Sequence, residues 1–97
     1  MVTRESSTAR APRVVERVQT GVRMEKRLLK VLKALAELLD LSLGDLLEGI
    51  VLHAFEGKAP FRAELLERIA DLKRIYGLDL DASMSHRLRE PGDPEEA

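Results

Sequence analysis

The pair best suited by residue type for covalent chemistry lies in Ser83-Met84-Ser85-His86, where a hydroxyl nucleophile and an imidazole base are close in sequence. Such a pair works only if a third group orients the base and a pocket excludes water. Nothing in the sequence supplies an orienting group in a built site, and 97 residues leave little room for a pocket. The two histidines, His53 and His86, have no cysteine and no carboxylate cluster to complete a metal set, so packing or surface roles are expected and no metal. The chain has no Gly-rich phosphate loop, and one Tyr with two Phe cannot build a stacking platform for single-stranded nucleic acid. Neither an enzyme nor a bound cofactor is expected.

The remaining chemistry is that of charge. Residues 1–33 hold nine basic and three acidic side chains, a balance of +6, whereas residues 34–97 hold seven and fourteen, a balance of −7. A polyanion would meet the first third and avoid the rest. Charge alone is equally compatible with a solvated basic helix face and a free arm. Absence of cysteine accords with an intracellular protein. No stretch has the length and apolarity of a membrane span, and the leader lacks an apolar core, so a soluble, cytoplasmic chain is expected.

These side chains must be positioned by local elements. Residues 1–16 read as a flexible basic arm carrying Arg10 and Arg13. In the stretch RVQTGVRM, Val18, Thr20, Val22 and Met24 alternate with Gln19, Gly21 and Arg23, the period of a strand with one apolar and one polar face. From Glu25 to Leu39, Leu28, Leu29, Leu32, Leu35, Ala36 and Leu39 recur at helical spacing. Asp40-Leu41 forms a turn, Ser42 is an N-cap with Asp45 three residues on, and a second helix runs from Leu43 to Glu56. Its predicted buried face is Leu46, Leu47, Ile50, Val51 and Ala54, with Gly57 just beyond its end and Gly44 and Gly49 inside it as points of close approach. Residues 57–78 hold a third helix opened by Pro60, carrying Phe61, Leu65, Leu66, Ile69, Leu72, Ile75 and Tyr76 and closed by Gly77. Residues 79–97 hold one short helical turn and a disordered acidic tail.

In this order, residues 17–56 resemble the ribbon-helix-helix family of DNA-binding proteins. The resemblance lies in the passage from VRM-E into a helix, the Leu-rich core positions, and LDLSLGDLL as the turn between helices. It implies a mainly α homodimer in which the strands of two chains pair into an antiparallel ribbon. Val18, Thr20, Val22, Met24, Leu28, Leu32, Leu35, Leu46 and Ile50 would form the dimer core. It also implies a transcriptional repressor that lays the ribbon in the major groove of double-stranded DNA. By the family's pattern, Gln19, Gly21 and Arg23 would face bases, with Gly21 a departure because it offers no side chain. Phosphates would meet Ser42, Leu43 and Gly44 at the second helix N-terminus, together with Arg13, Arg17, Lys26 and Arg27. Leu43, Gly44 and Asp45 also depart from the pattern at that clamp.

Two alternatives accompany this reading. One is an antitoxin whose residues 58–97 engage a toxin; the other is a dimeric interaction module that does not bind DNA. Val31, Ala34 and Leu38 form a second apolar stripe on the first helix that some element must cover. The third helix, in cis or from the partner chain, or a separate protein, is the candidate. Its acidic Glu64, Glu67 and Asp71 would lie away from DNA.

Overall fold

Helix α1, Lys26–Leu39, begins where a carboxylate can satisfy a free backbone donor. Glu25 is its N-cap, and a side-chain oxygen accepts the Leu28 N–H at 2.8 Å. The helix ends at Asp40, whose φ of 61° places it in the left-handed region, where a short polar side chain is tolerated. The Leu41 N–H returns to the Ala36 carbonyl at 2.9 Å, the closing bond of a Schellman-type end. This computed structural model describes residues 11–92; Arg10 with the first part of the predicted arm, and residues 93–97 of the predicted tail, lie outside the described residues.

Helix α2, Leu43–Phe55, starts at Ser42, which lies in extended backbone and whose Oγ accepts the Asp45 N–H at 3.1 Å. Gly57 then turns the chain at a φ of 70°, and the Lys58 N–H closes onto the His53 carbonyl at 2.9 Å. Helix α3, Ala63–Tyr76, begins later than Pro60 predicts, because Pro60 and Phe61 belong to the preceding loop. Its N-cap position is Arg62, which makes no side-chain cap bond. The expected short turn in the C-terminal segment is a 3₁₀ turn, Ala82–Met84, capped by Asp81.

The three helices meet at Leu35, Ala36 and Leu46, around which Leu32, Leu39, Ile50, Phe61, Leu65, Ile69 and Leu72 pack. Helix α3 therefore folds back onto α1 within the same chain, and this covers the second stripe at Val31, leaving Ala34 half-buried and Leu38 exposed. Leu78, directly after the Gly77 turn, is buried as well.

The predicted strand is corrected. Among the described residues there is no β-strand, and no backbone hydrogen bond ties residues 11–24 to any other segment. Val18 and Val22 are 80% and 75% exposed, Thr20 is exposed and Met24 half-buried. Alternation supplies two faces but neither a ladder partner nor a surface to cover the apolar one, and without those a lone extended segment gains nothing from strand geometry. The described residues form an all-α, three-helix fold, and the ribbon-helix-helix assignment fails with the strand on which its dimer depends.

Candidate interaction face

The side chains singled out for DNA take the following places. Gln19 and Gly21 are exposed on the extended arm. Arg23 is turned onto Glu90, with its Nε donating to Oε2 at 2.8 Å and its Nη2 to Oε1. Arg17 binds Glu48 of α2 in the same forked manner, at 2.9 and 2.7 Å. Arg27 donates to the Gly77 carbonyl at 2.8 Å and pairs with Glu25 and Asp79. Arg13 and Lys26 are exposed. Ser42 and Leu43 open α2 with Gly44 beside them, and the Ser42 hydroxyl already serves the Asp45 N–H.

Reading DNA is therefore corrected as well. Among the described residues there is no strand to form a ribbon for a groove, and the guanidinium forks of Arg17, Arg23 and Arg27 are each taken up within the chain. The carboxylates opposite respond: Glu48 and Glu90 are held below their ordinary pKa by hydrogen bonds from Arg17 and Arg23 respectively. Glu25 is also lowered, chiefly by the Leu28 backbone N–H and then by Arg27.

A different surface stands out. Helix α2 is apolar around most of its circumference, and its packing uses one side only. Leu46 is buried and Ile50 half-buried toward α1 and α3, whereas Val51, Leu52 and Phe55 are exposed, the last two by 63% and 81%. Val51 and Ala54 thus leave the predicted buried face. Leu52 and Phe55 went unassigned, although the run Leu46 to Phe55 carries more apolar residues than one helical face can hold. Between α2 and the arm runs an open groove of about 730 Å³, with Val15, Val18 and Thr20 on one wall and Gly44, Leu47, Val51 and Leu52 on the other. Nothing lies within 4 Å of where a Cβ would stand at Gly44 or Gly49, so neither glycine marks a close approach inside the chain.

A second hollow, of about 310 Å³, lies between α1, α3 and residues 78–82; its walls are mainly apolar, with Lys73 and Asp81 contributing the charges. Asp81 is held low by the Ser83 hydroxyl and N–H, and more weakly by Lys73. Ser83 thus serves as a local cap partner, and His53 Nδ1 lies 2.7 Å from the Gly49 carbonyl. No group of three or more potential metal ligands occurs among the described residues, nor is any of their helices long and apolar enough to cross a membrane. No family model matches the chain, and no match was found among curated proteins or solved structures.

Proposed function

We propose that this chain is a dimeric protein-interaction module that binds rather than catalyses, does not act on DNA, and pairs with a second copy through the outer face of α2. One observation carries the reading: Val51, Leu52 and Phe55 stand exposed on the same helix that buries Leu46. Only five apolar side chains, Val31, Leu35, Ala36, Leu46 and Leu78, are buried among the described residues. A core of that size leaves a small domain marginal, and burying the α2 face against a copy would extend it.

The occupant is argued from symmetry and charge. A two-fold interface sets identical apolar patches face to face, and Gly44, which lines the groove with Val51 and Leu52, leaves α2 free of a side chain where a second backbone could come near. The +6 balance of residues 1–33 and the −7 balance of residues 34–97 make two copies mutually attractive when the first third of one lies beside the remainder of the other. Helix α3 packs on the core in cis through Leu65, Ile69 and Leu72. Sedimentation equilibrium of the purified chain tests the reading: a dimer disrupted by Phe55→Glu or Leu52→Glu is expected, and a wild-type chain that stays monomeric at high concentration overturns it.

A further inference from the structure

The arm is held without the usual means. Among the described residues, 11–24 make no backbone hydrogen bonds to other segments, and the valines at 18 and 22 are not packed away. Two forked contacts join the arm to the rest at sequence separations of 31 and 67 residues: Arg17 onto Glu48 of α2, and Arg23 onto Glu90 of the C-terminal segment. Glu48 lines the α2 groove, and Glu90 lines a neighbouring hollow with Val22, Met24, Leu29, Leu88 and Pro91.

We infer that these two arginine–glutamate forks are clips that fix residues 17–23 as the second wall of the α2 groove, so that the groove is shaped before a partner enters and its occupancy is under ionic control. The inference rests on the proposed α2 interface for its consequence, though the clips themselves are testable on the chain alone. Two parallel N–H···O bonds from a planar guanidinium to a carboxylate fix direction as well as distance, which a single point charge cannot do. Two such points on one extended segment restrain its path across the roughly 20 Å that six residues can span. Fixing a wall in this way reduces the ordering cost a partner must meet. The clips are exposed, so salt weakens them, whereas burial of the apolar α2 face is not screened. Association that depends on the clips therefore weakens with added salt, opposite to the trend of an apolar contact alone.

The test is backbone ¹⁵N relaxation on the full chain, with sedimentation equilibrium in parallel. At low salt, residues 17–23 should show order parameters near those of rigid backbone, about 0.85, and should fall toward about 0.6 in Glu48→Gln, in Glu90→Gln and in ~1 M salt. Arg17→Lys, which keeps the charge but loses the fork, should also loosen the arm. The exchanged pair Arg17→Glu with Glu48→Arg should restore it. Dimer dissociation should rise several-fold in Glu48→Gln and recover in the exchange. An arm equally ordered with and without Glu48, or already mobile in the wild type at low salt, overturns the clips. A loosened arm with undiminished association overturns their shaping of the groove. Absence of any wild-type dimer removes the interface reading instead, while the relaxation data still decide the clips.

Discussion

The two sides of α2 are made of similar residues and have opposite fates. Leu46, toward α1, is buried with Leu35 and Ala36; on the other side Phe55 stands open to solvent, and Leu52 faces the arm across a groove. On the closed side, helix ends are finished by backbone: Asp40 and Gly77 adopt left-handed conformations, and Leu41 and Leu78 bond back to Ala36 and Lys73. On the open side, what holds the arm is side-chain charge. Burial with backbone closure makes a region that one chain can stabilise alone. Exposed apolar surface held near exposed ion pairs is what the proposed second copy would cover.

The sharpest way to break that contrast is to remove apolar volume on each side. Leu35 is 2% exposed, so Leu35→Ala should lose about 2–5 kcal/mol of folding stability, read by chemical denaturation at a fixed protein concentration. Phe55→Ala, at 81% exposure, should change the stability of the monomer by no more than ~0.5 kcal/mol. Its effect should appear in association, where losing a central aromatic weakens the dimer by roughly 2 kcal/mol or more, about 30-fold in dissociation constant. If Phe55→Ala unfolds the isolated chain as Leu35→Ala does, the two sides do not differ in kind.

How far the sequence could be read follows the same division. Helices α1 and α2 and the end of α3 fall where the 3.6-residue spacing and the Ser42 and Gly77 signals place them, because those signals are local and each is satisfied by its own helix, whereas α3 starts at Ala63 rather than at Pro60. The strand over residues 18–24 was misread for the opposite reason: alternation is necessary for a ribbon, and the partner that would make it sufficient is not encoded in the segment. The face of α2 was half misread, since a helix apolar on most sides does not reveal which side its own chain will cover. The placing of Val51 and Ala54 inside, and the silence on Leu52 and Phe55, both come from that ambiguity. The partners of Arg17 and Arg23 lie 31 and 67 residues away, and no short-range pattern announces them.

A smaller effect sharpens the picture of the helix ends. Ser42 and Arg62 occupy the same kind of position, extended residues directly before a helix, but only Ser42 supplies an acceptor for the first turn. Ser42→Ala should cost about 1 kcal/mol, and Arg62→Ser should add a stabilisation of up to about the same size at α3. Thermal unfolding of the two single variants and their combination measures both, and the effects should add, because the caps share no partner. Failure of Arg62→Ser to stabilise would mean that the α3 start is held by packing of Phe61 and Leu65 on the core rather than limited by its free N–H groups.

The smallest effect separates carboxylates held by backbone from carboxylates held by charge. Glu25, Glu48 and Glu90 all sit below the ordinary value of 4.5, so each contributes stability above that value and loses it as the pH falls through its own lower one. The arginines stay charged throughout, so the carboxylates alone set the window, which lies below pH 4.5. Carboxyl ¹³C shifts followed during acidification, together with the arm amides, read both the carboxylates and the clips they close. Arg17→Ala should bring Glu48 back toward its ordinary value, and high salt should move it the same way, with the Arg17 end of the arm loosening at the same midpoint. Arg27→Ala should leave most of the Glu25 depression in place, because its leading cause is the Leu28 N–H at the start of α1. If Glu25 instead rises as far as Glu48 when its arginine is removed, the cap is held by charge after all, and the division between the closed and open sides of the molecule loses its electrostatic half.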